Sequence, residues 1–299
     1  MPAIEVRPLR PGQEGVWLGL NISRTAVAAS LPDITRRLRC HGADERAFLL
    51  AFDGERCVGR LEGVFLTPRL YLLREVHAAD DPGACDIQNA LCGYLRPSFA
   101  KDGITVLTWD TETSRALNDA LARSGFEVAK RKVFVERRLE GYRSPHSDPF
   151  AYRPLSLVGR RRFVRVMAEA SEGDPFEDDA DRDVEREFQD LVDHAGRSFD
   201  PSWWQIATLE DEAVGVVLPQ TYPERPDEGT LFYVGVRPAF RGRGYGRVLH
   251  AAGLAFLSRH GVTKYMGSTD ERNAPMIAVF RTNGCARTGT QLFLRARSD

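Results

Sequence analysis

The two halves of this 299-residue sequence carry the same motifs in the same order, and this repetition constrains the fold more than any other feature. The motif Arg7-Pro8-Leu9 near the start recurs as Arg153-Pro154-Leu155, and Gly59 is matched by Gly215. Further matched pairs are Val76 with Val236 and Gly125 with Gly284. Because the order is preserved, the sequence predicts a tandem duplication, and its length suits two domains of about 150 residues each.

The two copies meet in a polar stretch, Glu140–Pro149, which contains two prolines and has no apolar period, as interdomain linkers tend to. The predicted domains are residues 1–143 and residues 148–299. Each copy mixes strand-like runs, rich in β-branched and aromatic residues, with runs of helical period. Strands and helices in this order predict an α/β (α+β) layer fold for each copy.

Composition argues against several classes of function. The formal net charge of −1 gives no support for a nucleic-acid or membrane partner, and no apolar run approaches the roughly 18–20 residues that span a bilayer. The N-terminal sequence lacks the basic segment and apolar run of a signal peptide. The five cysteines are scattered without a CxxC pair, so we expect neither a disulfide framework nor a metal site, and we expect a cytoplasmic location.

The most informative segment is a strand, a glycine-rich turn and a helix in series. The strand runs to Val236, Pro238 cannot extend its ladder, and three alternate glycines, Gly242, Gly244 and Gly246, then open a helical pattern. In such a turn consecutive backbone N–H groups point one way, the helix dipole is positive, and a phosphate can approach the main chain. The segment therefore predicts an anion site; the alternative is a flexible arginine-rich loop.

The spacing of this segment argues against two known phosphate-binding motifs. No Gly-Lys-Ser/Thr follows the turn, so it is not an ATP-binding P-loop. The alternating glycines also do not fit GxGxxG, which argues against a dinucleotide-binding fold. Arg241 and Arg243 would add charge-assisted hydrogen-bond donors at the rim of the anion site.

The segment Arg241-Gly242-Arg243-Gly244-Tyr245-Gly246 resembles the R/Q-x-x-G-x-G/A signature of the GNAT acetyltransferase superfamily, and Asn273 and Gly284 bound a helix where that family has its second motif. The resemblance covers residues 150–296. It implies two tandem GNAT-like domains, each with a mixed, mostly antiparallel central sheet flanked by helices, and acetyl-CoA as cosubstrate. The implied acetyl-CoA-binding residues are Val234, Gly235, Val236, Arg241, Gly242, Arg243, Gly244, Tyr245, Gly246, Arg247, Asn273 and Phe280.

The same resemblance assigns roles to these residues. The amides of 242–247 would hold the CoA pyrophosphate. Main-chain groups of Val234 and Val236, on a strand splayed from the next one, would pair with the pantetheine arm, which Asn273 would also approach.

An acetyl transfer of this kind implies direct attack of an amine on the thioester, and an alkylammonium with a pKa near ~10 must first lose a proton. Glu228 extends the strand face that carries Thr230 and Phe232, and it is the first candidate base. The alternative is a solvated carboxylate in a loop. Asp270 and Glu271, at the end of the next strand, are the competing bases.

Two positions depart from the family pattern. Many members carry a tyrosine seven residues after the asparagine, which protonates the leaving thiolate, whereas this chain has Phe280. The general acid is therefore absent, supplied elsewhere or unneeded, since a thiol with a pKa near ~8.5 leaves readily. Cys285, where the family usually has phenylalanine, is interpreted as a small core residue because no histidine is near in sequence.

The first copy has lost the glycine motif. In the alignment of the two copies, Asp81 stands where Arg241 stands, and Asp86 stands where Gly246 stands. Two carboxylates facing a pyrophosphate would repel it. We therefore expect the N-terminal copy not to bind CoA.

The acceptor is less constrained by the sequence. The strongly acidic stretch 171–181 falls between the first two helices of the second copy, and it either attracts a cationic small-molecule amine or is a solvated loop. The leading interpretation is an acetyl-CoA-dependent N-acetyltransferase acting on a small-molecule amine. The alternatives are a non-catalytic acyl-CoA-binding or regulatory protein, and a peptide or protein N-acetyltransferase. The oligomeric state stays open.

Overall fold

The computed structural model describes residues 4–20, 33–37, 44–78, 83–176, 183–222 and 225–297, which fall into two compact units. One unit contains the chain up to Lys132 together with the segment from Gly289 onward, and the other contains Val133–Thr288. The predicted domain bounds, 1–143 and 148–299, follow the order of the repeats and stay a prediction. Asp81, and residues 177–181 of the acidic stretch, lie outside the described residues.

The secondary structure alternates in the predicted way. The strands are β1 (Glu5–Pro8), β2 (Phe48–Asp53), β3 (Arg56–Thr67), β4 (Leu70–Ala78), β5 (Thr105–Trp109), β6 (Phe126–Arg138), β7 (Ala151–Pro154), β8 (Gln205–Leu209), β9 (Glu212–Tyr222), β10 (Arg225–Val236), β11 (Lys264–Asp270) and β12 (Ala286–Ala296). The principal helices are α1 (Glu14–Leu18), α2 (Ala84–Asp102), α3 (Arg115–Arg123), α4 (Leu155–Val158), α5 (Arg160–Ser171), α6 (Val184–Ala195), α7 (Tyr245–Arg259) and α8 (Ala274–Thr282).

The sheet of the first unit has the strand order β1-β2-β3-β4-β5-β12. Its pairs are antiparallel except for β4 with β5, which run parallel. Helix α2 lies against this sheet and buries Leu91, Leu95 and Phe99 in the core of the unit. A strand, a long helix and a parallel neighbouring strand form the crossover connection that parallel pairing requires.

The second unit repeats this topology with the order β7-β8-β9-β10-β11-β6. Strands β7 to β10 pair antiparallel, and β10 pairs with β11 in parallel through the crossover helix α7. Helices α5 and α6 surround Trp204 on one face of the sheet, where Val216 points. Helix α7 buries Leu254 against Val217 on the other face, as the alternation along β9 requires.

The last strand of each sheet comes from the end of a repeat. Gln291–Arg295 of β12 pair with Trp109–Thr105 of β5 in the first unit, whereas β6 lies next to β11 in the second. In sequence, β6 ends the first repeat and β12 ends the second. The last strand of the first unit's sheet, β12, therefore belongs in sequence to the second repeat. The last strand of the second unit's sheet, β6, belongs to the first repeat.

The predicted fold class is confirmed, since each unit is a mixed, mostly antiparallel sheet with flanking helices. The predicted helix after the glycine turn is α7, and Pro275 lies in the first turn of α8, where a proline is tolerated. Within the part of the chain that the structure describes, no helix is both long enough and apolar enough to cross a membrane.

Two matched glycines of the repeats, Gly59 and Gly215, both lie where a side chain would collide with a neighbour. Gly215 pairs with Val236 at the end of β10, and Gly59 pairs with Ala78 at the end of β4. A Cβ atom at Gly215 would collide with the carbonyl oxygen of Gly235, and one at Gly59 would collide with a side chain of α2. Both positions therefore exclude a side chain where the fourth strand of each unit ends.

We expect Gly215→Ala to destabilise the protein by about 3 kcal/mol, the upper part of the range for overpacking, because the colliding atom belongs to the backbone. The midpoint of urea unfolding measures this loss. Gly246→Ala is the matched control, since its Cβ would meet only the methyl groups of Val279 and Val236, at 3.8 and 4.0 Å. A loss below 1 kcal/mol in Gly215→Ala would contradict the steric explanation.

Candidate functional site

The second unit contains a cavity of about 600 Å³ where the end of β10 meets the N-termini of α7 and α8. Its wall consists of the end of α5 with the loop after it, the second half of β10, the glycine turn and one face of α8. Ten of the twelve predicted acetyl-CoA-binding residues line it, namely Val234, Gly235, Val236, Arg241, Gly242, Gly244, Tyr245, Gly246, Arg247 and Asn273.

Strands β10 and β11 diverge towards this cavity. The two strands pair in parallel at Glu228 with Lys264 and at Gly229 with Tyr265, whereas β10 continues to Val236. The second half of β10 is thus turned away from the neighbour that would otherwise take up its hydrogen bonds. A gap opens between the two strands at their carboxyl ends.

A one-residue bulge interrupts β10 at the edge of the cavity. Leu231 pairs with Pro219 and Val234 with Val217, so three steps along β10 match two steps along β9. The extra residue puts the neighbours Phe232 and Tyr233 on the same face, where both contact the core around Trp204. Such bulges re-aim side chains and are frequent beside active sites.

The backbone beyond the bulge faces the gap at two positions. The N–H of Arg237 donates to Val214 on β9 at 2.9 Å. Because the direction of backbone groups alternates along a strand, those of Gly235 also face β9, and those of Val234 and Val236 face the gap. The carbonyl of Val236 accepts from Nε of Arg241 at 2.9 Å.

The glycine turn presents an open helix N-terminus to the cavity. Gly242 and Gly244 have φ of 77° and 79°, a left-handed conformation that side chains disfavour. Gly244 is the N-cap of α7, and as a glycine it has no side chain with which to cap the helix. The first N–H groups of a helix have no intrahelical partner, so this end is suited to an anion.

Gly246 faces open space between α7 and α8. A Cβ atom there would make ordinary contacts with Val279 and Val236, at 3.8 and 4.0 Å. The protein itself would therefore tolerate a small side chain at this position. The glycine keeps the space above the helix N-terminus open for a ligand.

The arginines of the turn have different surroundings. Besides its bond to Val236, Arg241 donates from Nη2 to the carbonyl of Ala170 at 3.0 Å, and so it ties the turn to α5. Arg243 is exposed, with its guanidinium 5.6 Å from the ring of Phe240, and it is not among the described residues that line the cavity. Arg247 lines the cavity on the first turn of α7.

Helix α8 forms the opposite wall. Oδ1 of Asn273 accepts from the N–H of Met276 at 3.0 Å and caps the helix, while the residue itself lines the cavity. Phe280 is buried in the core, with its ring 5.4 Å from that of His250. Of the described residues in α8, those that line the cavity do not include Phe280.

The structure also brings residues to the cavity that sequence reasoning missed. Tyr233 lines it, and its hydroxyl lies 2.7 Å from Oγ of the buried Ser171. Asp174 and Phe176, at the start of the acidic stretch, line it as well. The sequence shows Tyr233 within the strand that precedes the glycine turn. The direction in which its side chain points, however, depends on the bulge.

Two of the three candidate bases, Glu228 and Asp270, are ion-paired at other positions. Glu228 lies 2.6 Å from Arg225 and 3.9 Å from Lys264, and six residues of strand, roughly 20 Å, separate it from Val234. Asp270 is buried and accepts twice from the guanidinium of Arg272, at 3.0 Å each. Neither is among the described residues that line the cavity, and their catalytic role stays a prediction.

A buried polar network lies behind the glycine turn. Nδ2 of Asn283 donates to the carbonyl of Arg247 at 3.0 Å and lies 2.9 Å from Nδ1 of His250. An amide nitrogen can only donate, so Nδ1 accepts, and Nε2 carries the proton facing the Tyr265 hydroxyl at 3.1 Å. The network joins the first turn of α7 to the end of α8 and to β11.

Burial controls the ionisation of this region. It lowers the pKa of His250 from 6.5 to about 3, so the imidazole is neutral near pH 7. It also raises the pKa of the Cys285 thiol to about 11. A thiol in that state is a poor nucleophile, which agrees with the interpretation of Cys285 as a core residue.

Comparison with known families identifies part of the chain. Residues 164–285 match the model of the acetyltransferase (GNAT) family. A mycothiol acetyltransferase from Streptomyces bingchenggensis is 33% identical over 111 residues, which are 37% of this chain and 36% of that protein. An L-2,4-diaminobutyric acid acetyltransferase from Nocardia farcinica is 34% identical over 97 residues, 31% of this chain and 50% of that protein. The matches thus span only 36% and 50% of the length of these two relatives.

Solved structures extend the likeness to the fold of the whole chain. A GCN5-related N-acetyltransferase from Sphaerobacter thermophilus has a TM-score of 0.59 at 18% identity, covering 98% of this chain and 95% of that one. A tandem GNAT protein from the clavulanic acid biosynthesis pathway has a TM-score of 0.53 at 17% identity, covering 99% and 100%. The chain therefore has the fold of tandem GNAT proteins, and its residues 164–285 match the acetyltransferase (GNAT) family model.

Proposed function

We propose that the second unit transfers an acetyl group from acetyl-CoA to the amine of a small molecule. The observation that carries this proposal is the uncapped N-terminus of α7, which opens into a cavity beside the gap between β10 and β11. An anion site next to strand positions whose backbone groups face a gap suits a ligand with a pyrophosphate at one end and an amide-containing arm at the other. Acetyl-CoA has this construction.

The residues of the cavity fit such a ligand in three places. The amides at the start of α7 would hold the pyrophosphate, and the space beside Gly246 admits it. The backbone groups of Val234 and Val236 that face the gap would bind the arm. Asn273 uses Oδ1 for its helix cap, and its amide nitrogen is a donor on the same wall.

Acetyl-CoA would supply a thioester whose carbonyl carbon is attacked by the neutral amine, so that a C–N bond forms and the C–S bond breaks. The chain has to orient the amine and accept its proton. The relatives named for mycothiol and for L-2,4-diaminobutyric acid make a small-molecule acceptor the natural first screen.

The test is release of free CoA thiol from acetyl-CoA in the presence of L-2,4-diaminobutyrate, spermidine or an aminoglycoside, with the acetylated amine detected by mass spectrometry. Amine-dependent release supports the proposal. Binding of acetyl-CoA without any release would instead favour a non-catalytic acyl-CoA-binding protein.

Glu228→Gln and Asp270→Asn then test two of the three candidate bases. The variant that removes the base should lower kcat by about 100-fold or more and flatten the rise of kcat with pH, because it loses general-base catalysis. The other variant should keep the wild-type pH profile. Equal profiles in both variants would exclude both residues as bases.

A further inference from the structure

The second unit contains another cavity, also of about 600 Å³, which shares no described residue with the first. Strands β7, β8 and β9, the second half of α7 and the linker between the repeats, residues 140–149, all contribute to its wall. The two cavities thus lie at opposite ends of α7, since the first is lined by Tyr245–Arg247 and the second by residues from Ala252 to Arg259. A cavity of this size can enclose a small organic molecule.

The linker wall of this cavity is fixed by hydrogen bonds to the rest of the unit. The N–H of Tyr142 donates to the carbonyl of Leu139 at 2.9 Å, and that carbonyl also accepts from Oγ of Ser258 on α7 at 2.7 Å. Further along, Nε2 of His146 lies 2.8 Å from Oδ1 of the buried Asn283, and it is the donor because an amide oxygen only accepts. The cavity therefore has its shape without a ligand, as small-molecule sites usually do.

One part of the cavity surface is aromatic and apolar. Tyr142, Tyr152 and Phe256 contribute half-buried aromatic side chains, and the buried Val217 and Pro219 contribute the surface of β9. Burial raises the pKa of the Tyr152 phenol, so this part of the wall is shielded from water. Aromatic rings attract one another in offset or edge-on arrangements, and this surface therefore favours a ligand with an aromatic ring.

The charged side chains of the cavity leave an excess of positive charge. Its described wall contains two guanidinium groups, those of Arg143 and Arg259, and one carboxylate, that of Asp148. The carboxylate is already engaged, because it accepts from the Tyr152 hydroxyl at 2.9 Å and from the N–H of Phe150 at 3.0 Å. Neither arginine forms an ion pair with a described carboxylate. Both arginines are exposed, so their N–H groups are available at the rim to a carboxylate from outside.

Arg259 lies close to the aromatic part of the wall. Its guanidinium carbon is 5.9 Å from the centre of the Phe256 ring. Its charge also opposes the rise in the pKa of Tyr152, which places it near that phenol as well. A molecule that packs on these rings can therefore present a negative charge to Arg259, and the same small ligand reaches both features.

We propose that this cavity is a second ligand site, which binds a small aromatic carboxylate with its ring at Phe256 and Tyr152 and its carboxylate at Arg259. The site is separate from the proposed acetyl-CoA site and does not depend on the proposed acetyl transfer. An aromatic cation would meet two like charges here, and a ligand without charge would leave both guanidinium groups without a carboxylate partner. Binding makes and breaks no covalent bond.

The test is calorimetric titration of 1-naphthylacetate, with the uncharged 1-naphthylacetamide as the paired probe. We expect the carboxylate to bind at one site per chain, and Arg259→Gln to weaken it by about tenfold, the loss of a charge-assisted hydrogen bond. The amide should bind more weakly to the wild type and should not respond to Arg259→Gln. Ala255→Leu, which fills the cavity from α7 with a good helix former, should weaken both probes.

Two control variants locate the binding. Arg153→Gln removes a guanidinium on β7 that is 3.6 Å from Asp211 and is not among the described residues of this cavity, so it should leave the Kd unchanged. Gly246→Asp places a carboxylate in the first cavity, which also suits anions, and it too should leave the Kd of 1-naphthylacetate unchanged.

Three results would overturn the inference. The first is that the wild type does not bind 1-naphthylacetate. The second is an equal response of the carboxylate and the amide to Arg259→Gln, including no response of either, because the charge contact would then be missing. The third is binding that Gly246→Asp abolishes, which would assign the probe to the first cavity.

Discussion

Gly246→Asp is expected to abolish binding of acetyl-CoA, with a loss of affinity of at least about 100-fold, or about 2.7 kcal/mol. The substitution places a carboxylate above the uncapped N-terminus of α7, where the pyrophosphate is proposed to lie. Repulsion between the two anions adds to the loss of the space that the glycine leaves open. Calorimetric titration of acetyl-CoA into the wild type and the variant measures this effect directly.

Two control variants separate the effect of the added negative charge from damage to the fold. Gly246→Ala adds a Cβ that meets only ordinary contacts, so it should fold normally and weaken binding less than the aspartate does. Gly15→Asp introduces the same charge in the first turn of α1, in the first unit, where φ is not positive and an added Cβ meets no non-neighbouring atom within 4 Å, and it should leave binding unchanged.

The stoichiometry of the same titration tests the first repeat. Asp86 lies in the first turn of α2, the counterpart of α7 in the first unit, so the wild type should bind one acetyl-CoA per chain. Two sites per chain would refute the prediction that the N-terminal copy has lost CoA binding. Binding that survives Gly246→Asp would mean that the phosphate site lies elsewhere.

The free energy of unfolding is expected to fall steeply with acid because of His250. Its folded pKa of about 3 lies below the ordinary value of 6.5, so the unfolded state takes up a proton that the folded state refuses. The contribution of His250 to the free energy of unfolding is therefore constant above pH 6.5, and it falls as the pH is lowered from 6.5 to about 3. At pH 4.5 the loss amounts to roughly 3 kcal/mol.

Urea unfolding of the wild type and His250→Gln at pH 7.5 and pH 4.5 measures this term. The variant should be the less stable protein at pH 7.5, because it loses the contacts to Asn283 and Tyr265. The difference in unfolding free energy between wild type and variant should shrink by roughly 3 kcal/mol at pH 4.5, since glutamine does not titrate. A pH-independent difference for His250→Gln would show that His250 titrates normally in the folded protein.

The sequence by itself determined the features that depend on neighbouring residues. Alternate glycines at 242, 244 and 246 predicted a turn and the helix that follows it, because turns and helix starts are local properties. The matched motifs also predicted two copies of one fold, and the described units have a common strand order. Ten of the residues named from the resemblance meet around one cavity because nine of them lie within the short stretch 234–247 of the chain.

The tertiary structure decided what depends on register and packing. A single extra residue in β10 turns Tyr233 towards Ser171, which is 62 positions away in sequence. Asn283 meets His250 only because α7 and α8 lie side by side. Which strand completes each sheet is likewise fixed by pairing between distant segments. A period of two or of 3.6 residues gives the face on which a side chain lies, but a bulge or a neighbouring helix decides what that face meets.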